Sequence, residues 1–400
     1  MAENKQNKRP NIPPLRFPEF TEPWERYKLS EFATKITKKN RDNSISNVLS
    51  NSATLGIVQQ SQYFEREIVT DENLVGYYVI NEDDFVYNPR KSVTAPYGPV
   101  NRYYCKESGI ISPLYLCFKV NGINKSFLLW FFKSSKWYRY IHLNGDSGVR
   151  HDRVSIKDDL FLDMPINVPS RAEQEKVSNL FELIDRRIAA QSKLIEQLES
   201  LIKGITLQAA KSNECEKVLL SDILTERNEL NTAQHEVCSV SVSQGVVNQV
   251  EYLGRSFAAK DISHYNVVHF GDIIYTKSPT GDFPYGIVKR SHQKNLVAVS
   301  PLYGVYIPAS NDIGCFLHYY FCNAISAKNY LHKLIQKGAK NTINITNQRF
   351  LENTINLPKT EKLAQVVALL NCLSAKKLQA ENLLASLNKQ KQFFLNKMFI

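Results

Sequence analysis

The sequence predicts an α+β fold, with two tandem mixed α/β lobes separated by two long helices that pair as an antiparallel coiled coil with pseudo-twofold symmetry. Three observations predict this fold. The string Ser-Pro-Leu-Tyr occurs twice, with its serines at Ser112 and Ser300, an interval of 188 residues (300 − 112). Other strings recur at that interval. After each copy comes a long stretch whose apolar residues have the heptad spacing of a coiled coil.

Two further blocks repeat in the same register as Ser-Pro-Leu-Tyr. YYVINEDDFVY at Tyr77–Tyr87 aligns with YNVVHFGDIIY at Tyr265–Tyr275, and Pro-Tyr-Gly at 96–98 aligns with Pro-Tyr-Gly at 284–286. The flanking strings MPINVPS and NTINLPK align at an interval of 189. An interval this long exceeds that of solenoid repeats, which is ~20–50 residues. The chain is therefore a tandem duplication of a whole unit.

Each copy is predicted to begin with a lobe, at 1–169 (including a basic N-terminal tail) and at 212–358. Short runs of β-branched and aromatic residues between Gly, Pro and Asn predict strands joined by turns; examples are DFVYN, ISPLYLCFKV, DIIYT and LVAVSPLYGVYI. Helical segments occupy matching places, FLLWFFKSSKWYRYI in the first copy and CFLHYYFCNAISAKNYLHKLI in the second. A mixed α/β lobe with a curved sheet is expected in both copies.

Each copy is predicted to end in a long helix, at 170–211 and at 359–400, and each helix follows a proline. The first seam contains Val177, Phe181, Ile184, Ile188, Ile195, Leu198, Ile202 and Ile205, interrupted by Gln191. The second contains Val366, Leu370, Leu373, Ala380, Leu384, Leu387, Phe394 and Met398, interrupted by Lys377 and Lys391. Two such stripes of ~40 residues, ~60 Å long at 1.5 Å per residue, can bury each other. Pairing within one chain is favoured, and pairing between two chains of a dimer stays open.

Composition limits the partners and the compartment. The 400 residues include 50 Lys and Arg against 39 Asp and Glu, a net charge of +11, which favours a polyanion such as nucleic acid. The seven cysteines form no C-x-x-C pair, which argues against a disulfide framework or a zinc site. The N-terminus has no apolar signal core, and no apolar run approaches the ~20 residues that span a bilayer. A soluble, cytoplasmic protein without a membrane partner is expected.

The layout and two strings resemble the specificity (S) subunit of type I restriction-modification systems. The strings are LRFPEFTEPWERYKLSEFA at Leu15–Ala33 and LPKTEKLAQVVALLNCL at Leu357–Leu373. The family features are Trp24 before Lys28-Leu29-Ser30-Glu31, and Pro169 before a helix start with Gln174. The second copy keeps Leu220-Ser221-Asp222 but lacks the tryptophan, and it has Lys362-Leu363-Ala364-Gln365 where Glu-Gln is expected.

The resemblance implies that each lobe is a target recognition domain that reads one half of a bipartite sequence in double-stranded DNA. It implies that the helices set the spacing and dock two methyltransferase subunits, with two restriction/translocase subunits in the full complex. The chain itself would catalyse nothing. S-adenosylmethionine, ATP and magnesium are expected on the partner subunits only, and neither a cofactor nor a metal is expected on this chain.

Candidate DNA contacts come from basic loops, because lysine and arginine bind phosphate, and arginine and asparagine can read base edges. The candidates are Lys38, Lys39, Arg41, Arg90, Lys91, Arg150, Arg153, Lys289, Arg290, Lys337, Lys340, Asn341 and Asn344, of which Arg150, Arg153, Asn341 and Asn344 are the candidate base readers. Each loop is alternatively a solvated charged surface. Tyr97 and Tyr285 of the repeated Pro-Tyr-Gly are candidates for base stacking, but their presence in both copies favours a packed turn.

Two other functions stay open. One is a coiled-coil scaffold whose lobes bind proteins, with the positive charge incidental. The other is a nuclease. A methyltransferase is disfavoured because Asn88-Pro89-Arg90 departs from Asn-Pro-Pro, and a nucleotide-binding loop is disfavoured because Gly281–Val288 lacks the Lys-Ser/Thr pair.

Overall fold

The computed structural model describes residues 11–63, 71–147, 152–255, 258–337 and 343–400. The chain divides into two compact units, Met1–Ala190 with Leu384–Ile400, and Gln191–Leu383. Each unit contains one lobe together with a part of each long helix. The first lobe is defined here as residues 11–170 and the second lobe as residues 212–359.

The first lobe is built from short strands and short helices that alternate along the chain. Its described strands are β1 (Glu25–Lys28), β2 (Ala33–Lys35), β3 (Val48–Ser52), β4 (Gly56–Gln59), β5 (Tyr78–Ile80), β6 (Phe85–Tyr87), β7 (Val100–Arg102), β8 (Gly109–Ile111), β9 (Leu116–Val120), β10 (Asp146–Ser147), β11 (Val154–Ser155) and β12 (Pro165–Val168). Its helices are α1 (Gln60–Tyr63), α2 (Lys125–Lys133), α3 (Tyr138–Asn144) and α4 (Asp158–Leu162), and the long helix α5 (Arg171–Lys211) follows.

Two four-stranded sheets organise the first lobe. One has the order β2-β9-β6-β7 and is antiparallel throughout, and the other has the order β4-β3-β8-β5 with β3 and β8 parallel. In the first sheet Phe85 lies opposite Phe118, and their rings stack with centroids 5.5 Å apart. Helix α2 is buried along most of its length, from Phe127 to Phe132, because it packs in the core beside this sheet.

The second lobe repeats the same alternation. Its described strands are β13 (Cys215–Leu219), β14 (Leu224–Glu226), β15 (Cys238–Ser241), β16 (Gly245–Asn248), β17 (Asn266–Val268), β18 (Ile273–Thr276), β19 (Ile287–Arg290), β20 (Val297–Val299), β21 (Gly304–Pro308), β22 (Gln336–Lys337), β23 (Ile343–Asn344) and β24 (Thr354–Pro358). Its helices are α6 (Leu220–Ile223), α7 (Gln249–Leu253), α8 (Asn311–Cys322), α9 (Ala324–His332) and α10 (Asn347–Phe350), and the long helix α11 (Thr360–Lys397) follows.

The two lobes share nearly the same topology, which supports the predicted duplication; the one difference among the described sheets is that the parallel β3–β8 pairing is reduced in the second lobe to a single bridge between Val237 and Ala298. The sheet order β14-β21-β18-β19 matches β2-β9-β6-β7, and the closing pair β13–β24 matches β1–β12. The hairpin β15–β16 and the pair β17–β20 match β3–β4 and β5–β8. The match extends to single bonds, because the Tyr87 hydroxyl donates to the Tyr97 carbonyl at 2.9 Å and the Tyr275 hydroxyl to the Tyr285 carbonyl at 2.8 Å.

The Pro-Tyr-Gly repeat is a turn in both lobes, so the structural interpretation of this motif is confirmed. Gly98 and Gly286 both have positive φ angles, +84° and +102°. A Cβ atom on either would lie 2.0 Å from a backbone carbonyl oxygen, of Asn88 or of Thr276. Only glycine fits such a position. The Tyr97 ring is half-buried against Tyr138, with centroids 5.0 Å apart.

The long helices run antiparallel where they pair. In the first unit Lys391 pairs with Asp185 at 2.5 Å, and in the second unit Lys377 pairs with Glu199 at 2.8 Å. Asp185 comes before Glu199 in α5, whereas its partner Lys391 comes after Lys377 in α11. The two helices are therefore antiparallel. The polar interruptions of the predicted seams have partners, since these lysines form ion pairs and the Gln191 amide donates to the Ala380 carbonyl at 3.1 Å.

Each lobe packs against the beginning of one long helix and the end of the other. The first core includes Val177 and Phe181 from the beginning of α5, with Leu395, Met398 and Phe399 at the chain end. The second core includes Ala209 and Ala210 from the end of α5, with Leu363, Val366, Val367 and Leu370 from the beginning of α11. The helices are therefore anchored by their ends in the lobe cores.

Candidate nucleic-acid interface

The loop between β2 and β3 displays the first group of predicted contacts. Lys38, Lys39 and Arg41 are all exposed. Beside them Asn40 is almost fully buried, and its side chain bonds both the Ile45 carbonyl, at 2.8 Å, and the Ile45 amide, at 3.2 Å. This brace fixes the backbone of the loop, so three basic side chains project from a rigid segment.

The second lobe has the same brace in its loop between β14 and β15. Asn231 is fully buried, and its side chain bonds the His235 amide at 2.7 Å and the His235 carbonyl at 3.2 Å. The two loops also have an equivalent backbone hydrogen bond. The Val79 amide donates to the Lys38 carbonyl, and the Val267 amide donates to the Glu229 carbonyl, both at 2.9 Å.

The exposed side chains of the two braced loops differ. Lys38 corresponds to Glu229, because their carbonyls accept the equivalent hydrogen bonds. Lys39 corresponds to Leu230, because Lys39 forms a β-bridge with Tyr78 and Leu230 forms the equivalent β-bridge with Asn266. One position thus changes the sign of its charge and the next loses its charge. The framework is shared while the surface that it presents is not.

A second basic group in the first lobe is assembled from two of the predicted loops, a proximity that the sequence did not predict. Arg90 forms a β-bridge with Arg153, and around this bridge the Lys91 amide donates to the Asp152 carbonyl at 2.8 Å and the Val154 amide to the Pro89 carbonyl at 2.9 Å. Arg90 is exposed, and its Nε lies 3.7 Å from the Asp152 carboxylate. Three cations therefore lie on two adjacent segments that are far apart in the sequence.

The placement of Lys289 and Arg290 in a basic loop is wrong. They lie in strand β19, only 6% and 5% exposed. The Lys289 ammonium contacts the Cys322 sulfur at 3.2 Å, and the Arg290 guanidinium donates to Asn311 at 2.7 Å and lies over the Phe270 ring. Helix α8 covers the strand, so these cations are committed to internal contacts and do not face a phosphate backbone.

The remaining candidate DNA contacts lie outside the described residues or next to their boundaries. Arg150, Lys340 and Asn341 lie outside the described residues. Lys337 and Asn344 lie in the described backbone of the hairpin β22–β23, where Lys337 pairs with Ile343 and Gln336 with Asn344. Their roles stay predictions.

Two partly buried polar clusters were not predicted from the sequence. In the first lobe Lys133 donates to Asn101, which donates to Asn51, both at 2.6 Å; burial, with repulsion from Lys391, lowers the pKa of Lys133 to about 8. In the second lobe burial, with nearby Lys289 and Arg290, lowers the pKa of His318 to about 3. Their members come from separate elements, so no local motif signals them.

The Ser-Pro-Leu-Tyr repeat divides into a structural part and an exposed part. Ser112 Oγ accepts from the Leu114 amide, and Ser300 Oγ from the Leu302 amide, both at 3.3 Å. The prolines and leucines are exposed in both lobes. Both copies of the repeat therefore present an exposed leucine at the tip of the turn.

Comparison with solved structures identifies the fold. The S subunit of the type I restriction-modification system from M. genitalium matches 97% of this chain and 99% of its own, with a TM-score of 0.55 and 11% sequence identity. A chain from a structural study of complex assembly and conformational transition of the type I restriction-modification system matches 94% of this chain and 97% of its own, with a TM-score of 0.53 and 12% identity. The chain has the fold of an S subunit. No protein-family model and no curated protein matches its sequence.

The S-subunit fold extends over both lobes and both helices, since the matches cover nearly the whole chain. The α+β class and the paired long helices predicted from the sequence are thereby confirmed. Among the described residues no helix combines the length and apolar character needed to cross a bilayer.

Proposed function

We propose that the chain is the DNA sequence-specificity subunit of a type I restriction-modification complex. Each lobe reads one half of a bipartite duplex target, and the helical pair sets the spacing between the halves. One observation carries the proposal: the braced loops of the two lobes have the same backbone bonds, but Lys38 and Lys39 in the first correspond to Glu229 and Leu230 in the second. A shared frame with divergent surface residues suits a protein that applies one binding mode to two different sequences.

The charge distribution of the first lobe supports DNA as the ligand. Two basic groups project from backbone that is fixed by hydrogen bonds, the group of Lys38, Lys39 and Arg41 and the group of Arg90, Lys91 and Arg153. Cations carried on a backbone that is already fixed can bind phosphates without the entropy cost of ordering the loop. The net charge of +11 acts in the same direction.

The helical pair offers docking surface to partner subunits. Two helices bury only one face each, and the leucines on their outer faces are exposed, namely Leu183, Leu194 and Leu201 on α5 and Leu369, Leu378 and Leu383 on α11. Exposed apolar residues on a helix are buried when a further helix packs there. We assign this surface to two methyltransferase subunits, with two restriction/translocase subunits in the full complex. S-adenosylmethionine, ATP and magnesium then belong to the partners, and the chain itself is not an enzyme.

The complex of this chain with its methyltransferase partner should bind its duplex target with a steep salt dependence. For about six phosphate contacts, affinity falls about 10³-fold between 50 and 200 mM salt. The double substitution Lys38→Ala with Lys39→Ala should reduce the slope of log K against log salt by about 2. The measurement is fluorescence anisotropy across a salt series.

The matched control is Lys106→Ala with Lys217→Ala, which removes two exposed lysines that lie outside both basic groups and outside the long helices, and it should leave the slope unchanged. A flat salt response of the wild-type complex would instead favour the coiled-coil protein scaffold. Metal-dependent cleavage of DNA by this chain alone would favour a nuclease.

A further inference from the structure

The Pro-Leu tip of the Ser-Pro-Leu-Tyr turn is built in the same way in both lobes. The Tyr115 amide donates to the Ser112 carbonyl at 3.1 Å, and the Tyr303 amide to the Ser300 carbonyl at 2.9 Å. Together with the serine hydroxyl bonds, these contacts close a tight turn, and proline fixes one of its φ angles. The tip is therefore a rigid projection.

The leucine of this tip does not contribute to either core. Leu114 is 61% exposed and Leu302 is 70% exposed. Other large apolar residues exposed in the first lobe are not matched in the second: Leu55 aligns with Gln244, and Val93 with Gly281. Leu143 aligns with the buried Leu331. Among lobe residues with described side chains, Leu114 and Leu302 are the one pair in which both aligned positions hold an exposed large apolar residue.

The tip of the first lobe lies beside the basic group of that lobe. Leu114 lines a cleft of about 220 Å³ together with Pro89 and Val154. Arg90 and Arg153 are the chain neighbours of these two residues, and they bridge each other. Arg153 Nε is shielded from solvent and has no hydrogen-bond partner among the described residues. Asp158 also lines this cleft, and the two arginines adjoin its lining residues Pro89 and Val154, so the apolar projection and the basic group share one region of the lobe, in which Arg153 has an unused donor.

We propose that Leu114 and Leu302 insert as apolar wedges between base pairs, one in each half-site of the bound duplex. The proposal rests on the function proposed above. Apolar side chains that enter a base step next to cations on the phosphates unstack the step and bend the duplex. Insertion of an apolar side chain does not depend on one particular base sequence, because it uses no hydrogen bond to a base edge. A wedge can therefore stay identical in two lobes whose neighbouring side chains diverge, as Pro89 and its aligned residue Lys277 do.

The test uses the complex with the methyltransferase partner and a duplex that carries the mapped target. 2-Aminopurine replaces each adenine of the two half-sites in turn, since its fluorescence rises when a base is unstacked. Leu114→Ser should abolish most of the rise in one half-site only, and Leu302→Ser in the other only. Leu114→Met and Leu302→Met should retain it, because methionine is also a long apolar side chain. Leu55→Ser and Leu143→Ser, equally exposed in the first lobe, should behave as wild type.

The outcomes separate the wedge from the function on which it rests. Wild-type fluorescence in both serine variants, with binding of the duplex intact, would overturn the wedge and leave the specificity function standing. Loss of methyltransferase binding by the serine variants, with unchanged fluorescence where a complex still forms, would also overturn it and would make the tips protein contacts. A wild-type complex that binds no duplex would overturn both proposals.

Discussion

Replacing Phe399 with alanine should destabilise the first unit by about 3–5 kcal/mol, the range for a fully buried phenylalanine. Phe399 is the penultimate residue and is completely buried. Its ring centroid lies 5.4 Å from that of Phe127, 6.0 Å from that of Phe181 and 6.3 Å from that of Trp24. The truncation removes these contacts and leaves a cavity among rings that come from three distant segments of the chain.

Tryptophan fluorescence measures this loss, because all three tryptophans, at positions 24, 130 and 137, belong to the first unit. The midpoint of the urea transition seen by fluorescence should fall in Phe399→Ala, while circular dichroism follows the secondary structure of both units together. The control is Phe393→Ala, at 52% exposure near the end of α11, which should shift the midpoint little. Equal shifts for both substitutions would show that the end of the chain does not anchor the lobe.

The substitution Glu173→Gln should destabilise the same unit by about 3–5 kcal/mol, the cost of breaking a buried ion pair. The Glu173 carboxylate is 1% exposed and accepts from Arg16 at 2.8 and 2.7 Å and from the Trp24 indole at 3.2 Å. Glutamine preserves the volume but leaves the Arg16 guanidinium without its counter-charge in a site that is 10% exposed. The N-terminal segment should then detach from the start of α5.

Glu175→Gln provides the matched control, since Glu175 lies two residues further along and pairs with Arg171 on the exposed face of the helix. Its effect should be within about 0.5 kcal/mol. Adding Arg16→Met to Glu173→Gln should restore most of the loss, because it removes the unpaired charge. Failure of the second substitution to restore stability would show that the pair is not coupled. The same fluorescence-monitored urea transition measures all three variants.

The repeat and the helices could be predicted from the sequence because both are periodic. The 188-residue interval placed equivalent strands in equivalent positions. The heptad stripe predicted a helix at 170–211, where the structure has Arg171–Lys211. Gln191, Lys377 and Lys391 looked like defects of the seams because an antiparallel partner 178 or more residues away (377 − 199 = 178) cannot be seen in a local pattern.

Contacts between distant segments set the limit of the sequence analysis. Lys289 and Arg290 are two adjacent basic residues, a pattern that predicts an exposed loop. Only the packing of α8 on β19 shows that both side chains are covered. Phe399 packs against Trp24 of the first lobe, which lies far from it in the sequence, and no periodic pattern predicts this contact. In the candidate interface, Arg90 and Arg153 were chosen separately for their charge, and the bridge between them appears only in the fold.

Mapping of methylated adenines in the host genome, with an altered helical pair, tests the central claim most directly. Seven residues inserted after Ala190 in α5 and seven after Leu383 in α11 keep the heptad phase and lengthen the pair by about 10 Å. The account predicts a split methylated motif with both halves unchanged and a spacer longer by up to about three base pairs, at 3.4 Å per pair. An unchanged spacer between the same two halves would contradict the claim that the paired helices set the distance.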